Sequence, residues 1–315
     1  MGWIKAIKSS GHITEALIHF NQAIKGLGNE WSMVEVSRSL FDALNKIQTE
    51  WVLCESAQKM GEVKTFQAMI LNALDSQDHI NFLQSTEISN LVFYEPQIMN
   101  HNTLRRHRYR PDLDIEPQLV KKASEEHHKV VTAFNEYFPK KNNEVKERLM
   151  IRIAELLYIV RSNIAHGEKT PYGPDLKKKE RDEQVCSLII PVQRLILNTL
   201  FGHPECKLVV YGTLAPGKVN HHIISEIPGS WKDCIVNGHV DEANGLPYFS
   251  WEPRGPSLKA QLFTSSVLPS MWKEIDNFEG PSYQRILIPV KIIDEIDIAN
   301  IYVTTHNLEA RKWRR

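Results

Sequence analysis

Val210-Tyr211-Gly212-Thr213-Leu214-Ala215-Pro216-Gly217, which follows directly on Lys207-Leu208-Val209, decides how the last third of the chain is read. Lys207 to Tyr211 is apolar and β-branched, so it reads as a strand, and Gly212 stops it. The small residues that follow leave backbone N–H groups open, and a turn of that kind can hold a carboxylate. Towards the C-terminus, strand patterns recur at Ser230 to Val240, Ser257 to Phe263, Gln284 to Ile292 and Asn300 to Thr305. Pro247, Pro253 and Pro256 punctuate the loops, and Pro269 to Phe278 carries a short helical pattern. That pattern closes as Ile275-Asp276-Asn277-Phe278-Glu279-Gly280, a glutamate beside a glycine where a strand begins. Either motif alone is ordinary turn chemistry.

Together and in this order the two segments resemble a family. Tyr211-Gly212-Thr213-Leu214 is similar to the YG(S/T)L loop of γ-glutamylcyclotransferase-like proteins, and Ile275 to Gly280, with Tyr283 and Arg285, to their LDxFEGxxYxR segment. Asn220-His221-His222 stands where the family often has an Asn-His pair opening a helix, and Gly245-Leu246-Pro247-Tyr248 resembles its Gly/Tyr-Pro loop. The resemblance spans about Lys207 to Thr305 and implies an α+β fold, a small mixed barrel with a cavity at one end. It also implies a reaction. The α-amino group of a γ-glutamyl amine or peptide closes on its own side-chain carbonyl, and 5-oxoproline forms as the amine leaves. No cofactor is needed, because the nucleophile is tethered and only its reactive conformer must be held. In that scheme Glu279 is the acid/base, with a pKa raised by partial withdrawal into the cavity. The N–H groups of Gly212, Thr213 and Leu214 hold the substrate α-carboxylate, and Tyr211 and Tyr283 line the pocket. The plainer alternative is that Glu279 only caps or pairs, with Arg285 as its partner, in a domain that kept the fold and lost the reaction. Gln261 departs from the Gly-Glu often found in its strand, which bears on the pocket wall and substrate choice. His221 and His222 read as helix-start residues rather than catalysts.

Upstream the texture changes. The first 200 or so residues read as mostly helical, with apolar positions at three- and four-residue spacing over Ile13 to Ile24 and Met33 to Leu53. Gly26-Leu27-Gly28-Asn29 reads as the turn between them, and Glu95 to Glu116 as a loop. The clearest helix runs from about Asn143 to His166, on an apolar stripe of Val145, Leu149, Ile153, Leu156, Leu157, Val160 and Ile164. Gly167 stands where a left-handed cap is expected. A last helix is expected from Lys178 to Leu200, and Gly202-His203-Pro204 ends it. Two domains follow: an all-α domain over 1–203 and the barrel over 204–315.

Arg161-Ser162-Asn163-Ile164-Ala165-His166-Gly167 ends the clearest helix. Residues five apart lie about 140° apart around an ideal helix, so only the flexible arginine near a fraying end can reach a site shared with the histidine. The spacing resembles the Rx4–6H motif of HEPN domains, all-α helical bundles that usually dimerise. That resemblance implies a homodimer and a metal-independent ribonuclease. His166 would be base or acid at the RNA 2′-hydroxyl, Arg161 would stabilise phosphate charge, and Asn163 would support them. Arg105-Arg106-His107-Arg108-Tyr109-Arg110 would form the approach surface for RNA, against the plainer reading of solvated loop charge. The plainer reading of the motif itself is a histidine favoured by the helix dipole. His101 and His127-His128 lack metal-ligand spacing, and no metal is expected.

Composition narrows the classes. With 38 basic and 38 acidic residues the net charge is zero, which gives no global reason to invoke nucleic acid, although the chain ends in the basic Arg311-Lys312-Trp313-Arg314-Arg315. Apolar runs broken by charge lead to no membrane span, and Met1 to Lys5 show no secretory signal. Cys54, Cys186, Cys206 and Cys234 are scattered without a CxxC pair, so a reducing cytoplasm is expected. Three functions follow, in order: a cyclotransferase acting through Glu279, a toxin-like or defence ribonuclease restrained by the C-terminal domain, and a silent ligand-binding protein. The first two can coexist in one chain.

Overall fold

The computed structural model describes residues 11–54, 61–93, 125–167, 176–243, 246–293 and 295–305. They fall into two compact units, one within Ile18–Thr199 and one from Leu200 onward that also takes the first turns of the first helix, to Leu17.

The N-terminal part is helical: α1 (Gly11–Gly28), α2 (Met33–Cys54), α3 (Glu62–Asn72), α4 (Ser76–Leu83), α5 (Thr86–Val92), α6 (Glu125–Lys140), α7 (Asn143–Ala165) and α8 (Leu176–Leu200). α7 starts where Asn142 accepts the Val145 N–H at 2.9 Å, the cap that an asparagine outside a helix supplies. All seven residues of its expected stripe are buried. Polar ties join α2 to α8. Ser37 Oγ donates to Gln193 Oε1 at 3.0 Å, Gln193 Nε2 donates back to Ser37 O at 3.0 Å, and Glu183 accepts the Met33 N–H at 2.7 Å. Among the described residues no helix is long and apolar enough to cross a membrane.

The expected turn at Gly26 to Asn29 needs correction, because α1 runs through Gly28 and the chain turns at Asn29 and Glu30. Gly26 serves packing instead. A Cβ there would stand 2.5 Å from the Trp31 ring, which folds back over the helix end. The basic run Arg105 to Arg110, the loop Glu95 to Glu116, His101 and Arg311 to Arg315 lie outside the described residues.

The C-terminal unit is built from β1 (Lys207–Val210), β2 (Ser230–Ala243), β3 (Leu246–Trp251), β4 (Ser257–Thr264), α9 (Leu268–Glu279), β5 (Tyr283–Ile292) and β6 (Glu295–Thr304). The strands run in the order β2-β4-β1-β6-β5 and return to β2 through Ile235 opposite Lys291, which closes a small five-stranded barrel. β1 beside β6 is parallel, and Lys207 ties the pair by an ion pair to Asp297 at 2.6 Å. β2 serves two partners. Ser230 to Asn237 pairs with β4 and Gly238 to Ala243 with β3, and at the switch a Cβ on Gly238 would meet Ser250 O at 2.4 Å.

β3 lies where the sequence reads as a proline-marked loop. Pro247 is tolerated because β3 hydrogen-bonds to β2 alone and so has an edge that needs no N–H. Successive residues of a strand face opposite ways, and β1 shows the result. Val209 joins Val236, Phe249, Leu262, Ile288, Val290 and Ile301 in one core, while Leu208 and Val210 join Phe263, Leu268, Trp272, Ile275 and Tyr302 in a second core that includes α9.

Candidate active site

The loop after β1 is tied down on every side but one. Tyr211 packs its ring 5.3 Å from that of Phe249, and its hydroxyl donates to Tyr302 O at 3.0 Å. Beyond it the chain turns tightly, with the Ala215 N–H donating to Gly212 O at 3.1 Å. Asn220 then clamps Thr213 twice: its backbone N–H donates to Thr213 O at 3.0 Å, and its Nδ2 donates to Thr213 Oγ1 at 3.0 Å. His221 opens a 3-10 turn (His221–Ile223), and its Nδ1 donates to Leu214 O at 3.0 Å. The carbonyls of this loop are therefore occupied. The N–H groups of Gly212, Thr213 and Leu214 donate to no acceptor among the described residues, which leaves three donors for an anion.

Across from this loop comes the end of α9. Trp272 and Ile275 bury the inner face of the helix, and Glu279 is its last residue. Gly280 follows at φ 71 and ψ −173, a conformation that sends the chain out of the helix and into β5 within three residues. The two segments meet at one cavity of about 140 Å³, lined by β1, Gly212, Thr213, Leu214, Asn220, Phe278, Glu279, Tyr211, Tyr283 and Tyr302. A space of roughly 150 Å³ is enough for a ligand the size of one small ring.

Glu279 is half-buried there, and among the described residues no hydrogen bond or ion pair reaches its carboxylate. Burial pushes its pKa up to about 7. Arg285, the partner considered for it from the sequence, pairs elsewhere. Its Nε donates to Asp276 Oδ1 at 2.9 Å, its second amino group to Asp276 Oδ2 at 3.1 Å, and its guanidinium lies 4.2 Å over the Trp272 ring. Tyr302 donates to the same Asp276 Oδ1 at 2.6 Å. Burial alone would push the Asp276 carboxyl up, but the bonds from Arg285 and Tyr302 outweigh it and hold the group below the usual range. Burial also pushes up the phenols of Tyr211, Tyr283 and Tyr302, with the Glu279 charge adding to each.

Residues 208–315 match the family model of gamma-glutamyl cyclotransferase, AIG2-like. The match covers the barrel and supports a cyclotransferase-type function for this region in general terms. Solved structures similar to this region include an AIG2-like protein from Mus musculus, at 21% identity over 33% of this chain and 80% of that one, with a TM-score of 0.28. An uncharacterized protein, PH0828, from Pyrococcus horikoshii is 18% identical over 35% of this chain and 98% of its own, with a TM-score of 0.26. YkqA from Bacillus subtilis is 17% identical over 35% of this chain and 43% of its own, with a TM-score of 0.27. No curated protein matches the chain.

The barrel gathers Tyr211, Gly212, Thr213, Leu214, Glu279 and Tyr283 around one cavity. Sequence reading missed the parts played by Asn220, Phe278 and Tyr302. Asn220 was legible as a landmark, but its grip on Thr213 depends on how the loop folds back. Tyr302 lies in a strand buried over five consecutive residues, Ile298 to Tyr302, so its pattern does not single out a pocket residue.

Arg161, Asn163 and His166 lie at the end of α7, in the helical unit. Arg161 sits 5.1 Å over the Tyr158 ring, Asn163 is buried, and His166 is the exposed C-cap. His166 Nδ1 donates to Ser162 O at 2.7 Å, and Gly167 follows at φ 68, the expected left-handed cap. Asn163 faces the helical core, so it does not share the exposed side of His166.

Proposed function

We propose that the cyclotransferase-like domain converts γ-glutamyl amines or peptides to 5-oxoproline and the free amine, with Glu279 as the acid/base. The observation that carries this reading is Glu279 itself. It is a carboxylate with no hydrogen-bond or ion-pair partner among the described residues, shielded enough that its pKa is pushed up to about 7, and it shares a small cavity with three backbone donors that those residues leave unused. The N–H groups of Gly212, Thr213 and Leu214 take the substrate α-carboxylate. The α-ammonium then lies within the same hollow, where Glu279 accepts its proton. The freed nitrogen attacks the γ-carbonyl carbon and forms the C–N bond of the five-membered lactam. The bond from that carbon to the leaving nitrogen breaks as Glu279 returns the proton to it, and Glu279 then relays the second proton, which the ring nitrogen sheds on becoming the lactam N–H, so that the amine departs as its ammonium ion. One proton leaves Glu279 for each one it gains, so the enzyme ends as it began. Holding the tethered amine near its own carbonyl supplies the rest of the acceleration.

The test is to incubate the protein with a panel of γ-glutamyl amines and peptides and to follow 5-oxoproline. Native protein is expected to release it, and Glu279→Gln to be slower by about 10²–10⁴-fold, the usual worth of a general acid/base. No product across the panel, or an unimpaired Glu279→Gln enzyme, ends this reading.

A second reading, for the helical unit, has one observation in its favour. His166 Nδ1 donates to Ser162 O, and in a neutral ring held that way Nε2 is the nitrogen that accepts a proton, as a general base must. On that reading the unit is a HEPN-like ribonuclease acting as a homodimer on RNA, with Arg161 beside His166. Native, Arg161→Ala and His166→Ala proteins expressed side by side test it: RNA loss confined to the native culture supports it, and equal RNA integrity in all three rejects it.

A further inference from the structure

Among the described residues no side-chain hydrogen bond or ion pair keeps Glu279 in place, and the helix that carries it ends at that residue. A terminal helical turn frays unless something holds it. Here Asn277 and Phe278 are exposed, and the next inward-facing residue is Ile275. Asp276, one turn before Glu279, makes the polar attachment. Arg285 of β5 grips both its oxygens at 2.9 and 3.1 Å, and Tyr302 of β6 donates to one of them at 2.6 Å. The clamp is itself braced. The Arg285 guanidinium carbon lies 4.2 Å over the Trp272 ring, and Trp272 Nε1 donates to Glu205 O at 2.9 Å. It also reaches the other side of the cavity, because the Tyr211 hydroxyl donates to the backbone oxygen of Tyr302.

We infer that Asp276 is a positioning residue for the cyclisation: gripped by Arg285 and Tyr302, it sets where the Glu279 carboxylate stands relative to the Gly212–Leu214 donors. This rests on the cyclotransferase reading. Asp276 does not line the cavity, and both its oxygens accept from Arg285 or Tyr302. A planar two-point grip fixes direction as well as distance, which a point charge does not.

The experiment uses the full chain and three variants: Asp276→Asn, Arg285→Lys and Tyr302→Phe. With substrate turnover, Asp276→Asn and Arg285→Lys are expected to lose about 10–100-fold in kcat, the scale of a small misplacement of a reacting group. KM is expected to stay within about threefold, because the carboxylate-binding loop is intact. Tyr302→Phe keeps the ion pair and is expected to lose less, in the same direction, which keeps the test open if Asp276→Asn fails to fold. Alongside, ¹³C-carboxyl NMR follows the titration of Glu279 in native and variant proteins. In the variants it is expected to fall towards the ordinary glutamate range as the helix end loosens and water reaches the carboxylate. That readout needs no turnover, so failure of the enzymatic reading, shown by inactive native protein, is told apart from failure of this one. A folded Asp276→Asn protein with native kcat, with a loss confined to KM, or with an unmoved Glu279 titration overturns the inference.

Discussion

Glu279 is held at the cost of its own solvation. An ordinary glutamate is ionised well below neutrality, whereas burial, with no cation paired to it among the described residues, pushes the pKa of this one up to about 7. Two consequences differ in sign. As a base it must be ionised, so kcat/KM is expected to rise with pH along an acid limb centred near 7 that is absent in Glu279→Gln. For folding the ionised form is a burden. Between the ordinary glutamate value of 4.5 and about 7 the folded chain keeps a proton that the unfolded chain has released, so native stability falls as pH rises through that window. Glu279→Gln is therefore expected to be more stable than native protein at about pH 8, on the order of 1–2 kcal/mol after allowing for partial solvation. The difference should vanish near pH 4, where both states are protonated, and denaturant midpoints at the two pH values measure it. A variant that gains stability while losing turnover separates function from folding cleanly.

At the scale of elements, the end of α9 is where geometry is most exposed to a single change. Gly280 combines φ 71 with ψ −173, a region that only glycine occupies without strain. A Cβ there would meet nothing within 4 Å, so the cost of Gly280→Ala is entirely one of backbone. It is expected to be about 1–3 kcal/mol, or the chain will relax and carry Glu279 out of place. Thermal unfolding read together with 5-oxoproline release checks this; a native midpoint and native turnover would refute it. The glutamate beside a glycine before a strand was legible from residue order, and so was the α7 stripe, because helical periodicity is a local property. β3 was not, since Pro247 speaks against a strand unless that strand is known to lie at an edge. Gly26 misled for a related reason: its meaning is the Trp31 ring laid on it, and a tertiary contact leaves no local mark. Phe278 and Tyr302 join the cavity only because the barrel closes, and closure is a long-range property.

For the molecule as a whole, closure of the barrel does the positioning that no local motif can. Returning β5 to β2 at Ile235 and Lys291 completes a ring in which the end of β1, the end of α9 and the end of β6 share one hollow. The helical unit carries its own candidate residues at the end of α7, and variants there leave the barrel residues unchanged. The hollow in the barrel is walled by Tyr211, Tyr283 and Tyr302, three of the nine tyrosines of the chain, with Tyr248 stacked on Tyr283 at 5.5 Å. Buried beside a carboxylate, Tyr211 and Tyr302 resist ionisation well into alkali. In an ultraviolet titration their phenolate absorbance is expected to be held back until the barrel comes apart, so the wall of the pocket carries its own optical gauge of whether the pocket is whole.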